Sequence, residues 1–291
     1  MTMTEVFSPE LRAEALVEAL PYIKRFQGAV VVVKLGGSAM ADPELAKTFA
    51  EDIVLLRSVG LKPVVVHGGG PQIGEHLRKL GKESRFQNGL RVTDEETLDV
   101  VRMILVGKVG RDIVGAINVH GAYAVGLSGE DGGMITAEPH DESLGLVGKI
   151  VSVQPGIVER LLAESMIPVI STIGSDSSGQ AYNINADTVA GALAAALGAE
   201  KVIYLTDVPG LLLDVTDPSS LISKATLPQV EAMLFTSVID SGMVPKLEAC
   251  IAAIRGGTAS AHMLDGAIPH VLLLELLTDA GIGTMITREQ P

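Results

Sequence analysis

The stretch that decides the fold is "VVVVKLGGSAM", residues 30–40. Four consecutive valines suit a strand buried on both faces, as in a parallel sheet covered by helices on each side. Such a run ends on a lysine and two glycines only if its carboxyl end opens onto something. Glycines let backbone N–H groups approach an oxygen-rich ligand, and a helix starting just beyond adds partial positive charge. A second strand, "KPVVVHGGG" (62–70), ends in the same way. In open α/β sheets ligands sit beyond the carboxyl ends of the strands. Two glycine turns at strand ends, 34–38 and 67–71, therefore point to an anion site. Lys34 admits two readings. Its stem can lie along apolar surface with the head in water, or its ammonium can enter the crevice beside the glycine amides.

Outward from these strands the pattern alternates. Strands are expected at 29–35, 62–67, 122–128, 167–172, 201–208 and 259–264, and helices at 43–59, 71–81, 94–120, 156–164, 186–198, 228–235 and 245–255. Residues 132–153 read as hairpin material around "HDESLG", and "GIGTMI" (281–286) as an edge strand. Continuous apolar strands alternating with helices define an α/β protein with a mainly parallel sheet covered on both faces. The serine-rich stretch 174–179 is the expected seam between two lobes. Ahead of the first strand, residues 8–27 read as a helix: Ser8 caps, Pro9 fits the first turn and Glu10 favours the positive end. Leu11, Ala15, Leu16, Ala19 and Leu20 form its apolar stripe, and Pro21 is expected to kink or break it. A stripe on such an arm needs a partner, such as another subunit.

The bulk numbers set bounds. A chain of 291 residues suits one large domain or two lobes. With no Trp, five Phe and four Tyr, the core must be built mostly from Val, Ile, Leu and Ala. A formal net charge of −13 argues against nucleic-acid binding. The single Cys250 excludes an internal disulfide or a cysteine-built metal cluster and suits a reducing cytoplasm. No secretory leader is evident, and no apolar window reaches membrane-spanning length. A P-loop is missing, and "HGGGPQIG" fails the dinucleotide fingerprint because position 73 is Ile. There is no G-x-S-x-G elbow or H-E-x-x-H helix, and the six His are too scattered for a zinc site.

Three further stretches could carry chemistry. In "SGMVPKLEA" (241–249), Pro245 suggests a first helical turn, which puts Lys246 near the positive end. A cation is unfavourable there by up to ~1 kcal/mol. An anion held between Lys246 and the helix end would relieve that conflict; a solvated surface lysine is the alternative. In "YNINADTVA" (182–190), Asn185 or Asp187 can serve as a plain cap, yet Asn183, Asn185 and Asp187 exceed what one cap needs. In "NGLRVTD" (88–94), Arg91 suits a bidentate carboxylate contact or a surface salt bridge.

Together these residues resemble the amino acid kinase family from about Ala29 onward, and within it the branch that acts on N-acetyl-L-glutamate. The likeness rests on "VKLGGSAM", "VVVHGGGPQI", "QNGLRVTD", "VGLSGEDGGMI", "LAESMIPVIS", "YNINADTVAGALAAALGAEK", "YLTDVPGLL" and "GMVPKLEAC", in that order. It implies a three-layer αβα sandwich with an N-terminal arm helix: a kinked arm at 1–28, an acceptor-binding lobe at 29–182 and an ATP-binding lobe at 183–291. The implied reaction moves the γ-phosphoryl group of ATP, with Mg²⁺ held mainly by ATP, to the side-chain carboxylate of N-acetyl-L-glutamate. By the same resemblance Lys34 and Lys246 stabilise the transferring phosphoryl group, Gly36, Gly37 and Gly69 donate amides, and Asp187 orients the lysines. Gly69, Gly70, Arg91 and Asn183 match acceptor positions, with Arg91 on the α-carboxylate; Asn185, in the same loop as Asn183, is grouped with them. The arm and the segment "HVLLLELLTDAGIGTMI" (270–286) resemble arginine-inhibited members that assemble as hexamers, trimers of dimers. Tyr22, His270, Glu275 and Gly283 are then the expected L-arginine contacts. Glu275, a carboxylate inside an apolar run, calls for a cationic partner. A different carboxylate or carbamate acceptor, or a regulator that binds nucleotide without turnover, are the competing readings.

Overall fold

The computed structural model of the chain describes residues 8–37, 42–214, 216–234, 243–279 and 281–289. The expected loop residues Ser38 and Met40, helix residue 235, and positions 241–242 before Pro245 lie outside them. Helix α1 (Pro9–Phe26) precedes β1 (Val30–Leu35), α2 (Pro43–Ser58), β2 (Lys62–His67) and α3 (Gly70–Lys79). A short hairpin, β3 (Phe86–Gln87) with β4 (Leu90–Arg91), leads into α4 (Glu95–Arg102). A π-helical turn, Met103–Val109, joins α4 to α5 (Gly110–Asn118). Then follow β5 (Ala124–Ser128), β6 (Ile135–Pro139), β7 (Gly148–Val153), α6 (Gly156–Ala163), β8 (Ile167–Ser171), β9 (Ile173–Ser175) and β10 (Ala181–Asn183). The chain ends through α7 (Ala186–Ala196), β11 (Lys201–Thr206), β12 (Lys224–Thr226), α8 (Leu227–Met233), α9 (Val244–Arg255), β13 (Ser260–Asp265), α10 (Val271–Leu277) and β14 (Thr284–Thr287).

Eight strands form one sheet in the order β12-β14-β13-β11-β1-β2-β8-β5, parallel except where β14 runs against β13. β1 lies between β2 and β11, so its valines are covered on both faces. Successive side chains alternate across the sheet. Val31, Val33 and Leu35 enter a core with Phe49, Ile53 and Leu56 of α2, Ile113 and Ile117 of α5, and Leu272 and Leu276 of α10. Val32 enters the opposite core with Val189 and Leu193 of α7, Val158 of α6, and Leu247 and Ile254 of α9. These two apolar layers make the protein a three-layer αβα sandwich. A second sheet, β10-β9-β6-β7, is built from the expected 132–153 hairpin and from β9 and β10. The serine-rich stretch is the turn between β9 and β10, where Asp176 Oδ1 accepts from the Ser178 and Gln180 amides at 2.8 and 3.0 Å.

Two expectations change. The C-terminal strand is not an edge: β14 is second from the edge and β12 lies outside it. With three residues and one buried side chain, β12 carries too little apolar pattern to be read in advance. Pro21 does not break α1, which continues to Phe26. Its carboxyl half is held in place by Ala19, Tyr22, Ile23 and Phe26 against the core. Leu11, Leu16 and Val17 of its amino half, and Leu20 just beyond, are exposed. No described helix is long and apolar enough to cross a membrane.

Candidate active site

Lys34 shares the parity of Val32, so its side chain leaves β1 toward the layer that holds α7. The amino end of α7 carries Asp187, and Lys34 Nζ lies 2.8 Å from Asp187 Oδ1. Only 13% of the lysine and 9% of the aspartate side chain is exposed. Truncating either therefore strands the other's charge in a poorly solvated place. Asn185 is the helix cap: its Oδ1 accepts from the Asp187 and Thr188 amides at 2.8 and 3.1 Å. The cap is thus assigned to Asn185, and Asp187 is free for the ion pair.

This pair lines a cavity of about 280 Å³ together with Gly37, Gly69, Gly70, Arg91, Asn183 and Asn185. Gly36 is off the wall; a Cβ there would lie 2.7 Å from the Leu205 carbonyl oxygen, so its lack of a side chain serves the contact with β11. A Cβ at Gly69 would come within 2.8 Å of Leu105, a residue of the π-helical turn. Gly69 therefore lets that turn pack directly on the loop between β2 and α3. Lys246 is half-buried in the first turn of α9, as its position after Pro245 suggested, but it is not on the cavity wall. Its ammonium makes no ion pair with a described residue. The structure therefore joins Lys34 with Asp187 and leaves Lys246 apart.

Arg91 is held from three sides. Its guanidinium donates to Ser84 Oγ and, at 2.9 Å, to the Gly70 carbonyl, and it stacks 4.7 Å from the centroid of the Phe86 ring. Burial pulls its pKa below the usual arginine value. The Asn88–Gly89 turn, with φ of 51° and 78°, closes the β3–β4 hairpin that presents both Arg91 and Phe86. Asn183 Nδ2 donates to Thr93 Oγ1 at 3.2 Å, and Thr93 in turn donates to the Arg91 carbonyl at 2.7 Å. Hydrogen bonds so link the α7 entry loop to the hairpin. Phe86, Ser84 and Thr93 escaped the sequence reading because single aromatic and hydroxyl residues carry no spacing signal. Among the described residues no group of three His, Cys, Asp or Glu is placed to ligate a metal.

The four expected effector residues are differently placed. Glu275 is part-buried, with 6% of its side chain exposed, and has donors within the chain. Its Oε1 lies 2.7 Å from His262 Nδ1, and its Oε2 accepts from the Ile282 amide at 3.1 Å. Burial raises the Glu275 pKa, but the His262 hydrogen bond and nearby charge outweigh it and hold the carboxyl below its usual value. His262 Nε2 lies 2.9 Å from Lys201 Nζ, which sits 5.2 Å from the Phe26 ring centroid at the end of α1. Burial pushes Lys201 down to about 8. Lys201 was missed because a lysine opening a strand reads as solvated. Tyr22 packs on the core from α1. Gly283 has no room for a side chain, since a Cβ would meet the Met263 carbonyl. His270, just ahead of α10, is 2.7 Å from buried Asp52 of α2.

Glycine-ended strands on a mainly parallel sheet, with a lysine–aspartate pair beside a cavity, suit the binding of an anionic group. Residues 29–265 match the amino acid kinase family, and the chain belongs to it. It is 53% identical to the acetylglutamate kinase of Acidothermus cellulolyticus over 95% of this chain and 97% of that one. It is 52% identical to the acetylglutamate kinase of Nostoc sp., covering 96% and 94%. Among solved structures, N-acetylglutamate synthase from Neisseria gonorrhoeae, complexed with coenzyme A and N-acetyl-glutamate, superposes with a TM-score of 0.84 at 26% identity. That match covers 96% of this chain, which spans 64% of the synthase.

The Asp52–His270 contact gives a pH prediction. Burial raises the Asp52 pKa from 3.8 to about 6, against the lowering effect of the His270 hydrogen bond. The folded state thus holds the proton more tightly than the unfolded chain does. This contribution is fully present below pH 4 and is lost as pH rises through 6. Urea unfolding of wild type and Asp52→Asn is expected to show a stability difference that shifts by about 2–3 kcal/mol against wild type between pH 4 and pH 7. A pH-independent difference would show that folding does not raise the Asp52 pKa.

Proposed function

We propose that the chain transfers the γ-phosphoryl group of ATP to the side-chain carboxylate of N-acetyl-L-glutamate, yielding N-acetyl-L-glutamyl 5-phosphate and ADP in arginine biosynthesis. The observation that carries the reading is the Lys34–Asp187 ion pair on the wall of a cavity that Arg91 also lines. A carboxylate oxygen forms the new bond to phosphorus as the bond to the ADP oxygen breaks. The acceptor is already ionised near pH 7, so no base need remove a proton. Positioning and charge stabilisation are then the protein's main tasks. Magnesium carried on ATP neutralises phosphate charge.

Within this reading Lys34 meets the transferring phosphoryl group, and Asp187 sets its direction. The amides of Gly37 and Gly69 face the same group. Arg91 takes the α-carboxylate, with Gly70, Asn183 and Asn185 completing the acceptor side. Residues 29–182 serve as the acceptor lobe and 183–291 as the ATP lobe, where Lys246 approaches the phosphates on ligand binding. L-Arginine is proposed as a feedback inhibitor acting near α1 and α10. The exposed apolar residues on the amino half of α1 support assembly into a hexamer, a trimer of dimers. A cytoplasmic location suits a reaction that uses ATP.

Lys34→Ala and Lys246→Ala are each expected to lower kcat by roughly 10²–10³, the scale of losing one preorganised donor. Unchanged turnover in either variant removes that lysine from the mechanism. Arg91→Ala should raise KM for N-acetyl-L-glutamate; a rise confined to the ATP KM would place Arg91 elsewhere. An ADP-release assay over N-acetylglutamate, glutamate, aspartate and carbamate, with and without arginine, tests acceptor and effector together. Activity only with N-acetylglutamate, inhibited by arginine until residues 1–27 are deleted, is the expected outcome. A flat arginine titration would end the regulatory part.

A further inference from the structure

His67 is the last residue of β2 and is fully buried. Its Nδ1 lies 2.9 Å from the carbonyl oxygen of Gly68. A carbonyl can only accept, so Nδ1 carries the proton and Nε2 is left as a bare acceptor. No described group donates to Nε2. The ring packs closely under Gly110, where a Cβ would lie 3.2 Å from Nε2. Burial dominates its titration and holds the imidazole at about 4, so it is neutral near pH 7. A leucine would fill this space without an unsatisfied nitrogen. A buried polar group kept at such a cost marks a position whose hydrogen bond has a use.

That use follows from peptide geometry. In a trans peptide the carbonyl and the next N–H point in opposite directions, and no described peptide bond is cis. The Gly68 carbonyl is drawn toward the buried imidazole, while Gly68 and Gly69 line the cavity. We propose that His67 is a positioning residue: its Nδ1–H pins the Gly68 carbonyl on the buried side and thereby turns the Gly69 N–H toward the phosphoryl group in the cavity. Glycine at 68 makes a peptide flip easy, and a flipped peptide would present a carbonyl oxygen to an anion. The imidazole opposes that flip. Leu105, packed against Gly69, holds the loop's position while His67 sets its polarity. This inference rests on the phosphoryl-transfer reading above.

The test compares three substitutions. Asparagine places an N–H donor where Nδ1 stands; glutamine and leucine do not. His67→Leu and His67→Gln are expected to lower kcat by about ten- to hundredfold, less than outright loss of a donor, with KM for ATP and N-acetyl-L-glutamate changed by no more than about threefold. His67→Asn should stay within about threefold of wild-type kcat. The two donor-lacking variants should also bind ADP with aluminium fluoride and N-acetyl-L-glutamate, a mimic of the transferring group, at least about tenfold more weakly. Wild-type kcat in His67→Leu overturns the proposal, as does an Asn variant as impaired as Leu. Nitrogen-15 NMR of histidine-labelled wild-type protein covers the case in which the variants fail to fold. A neutral ring protonated on Nδ1 supports the assignment, and one protonated on Nε2 overturns it. If the wild type phosphorylates no acetylated glutamate yet shows the Nδ1–H form, it is the reaction that was misassigned and not the hydrogen bond.

Discussion

Parity along β1 is the constraint on which the site depends. A strand between two parallel neighbours must satisfy two cores at once, and its side chains alternate between them. Val31, Val33 and Leu35 belong to one layer and Val32 to the other. Lys34 therefore has no choice of side. It must leave the sheet toward α7, and Asn185 starts α7 where Asp187 can meet it. A one-residue slip of β1 would send the ammonium into the aliphatic layer of α2 and α5. The greasiness of the strand and the position of its lysine are one fact, since only a strongly buried strand defines its faces so strictly.

The sheet supplies direction and the loops supply chemistry. β1 and β2 end side by side, with Leu35 opposite His67 in the register, so the two glycine turns emerge together. The α7 entry loop and the β3–β4 hairpin approach from the other side, tied by Asn183, Thr93 and Arg91. Neither of these two attachments lies in the main sheet. The result is a cavity whose anion-facing part stands on rigid strand ends, and whose carboxylate-facing part stands on a small hairpin. Rigid placement suits the transferring group, where small displacements are costly.

What the sequence made legible follows from how each signal arises. The strands and helices of the main sheet came from long apolar runs, and Lys34, Asp187 and Arg91 from residues that break a local rule. Strands of two or three residues, β3, β4, β9, β10 and β12, have too few positions to form a pattern, which is why β14 was taken for an edge. Pro21 was expected to kink or break α1; it does not break it, as packing of Tyr22, Ile23 and Phe26 carries the helix past it. Glu275 was read as needing a cationic partner; within the chain its partners are His262 and the Ile282 amide. Pairings like His262 with Glu275, or His67 with Gly68, are set by ring orientation, which no spacing encodes. Lys246 is legible as a helix-start lysine, but where it stands relative to Lys34 depends on how α9 is carried against β1, and it lies off the cavity wall.

The place of β14 bears on how the chain is made. Among the described strands, β12 hydrogen-bonds only to β14 in the main sheet, and β14 (284–287) follows all the others along the chain. During synthesis β13 has an open edge, and β12 has no neighbour, until residues 284–287 leave the ribosome. Domains form from the amino end as they emerge, so this flank of the sheet is completed only after the rest of it. Until then the nascent protein carries an unpaired strand edge, the kind of surface that chaperones shield and that invites aggregation.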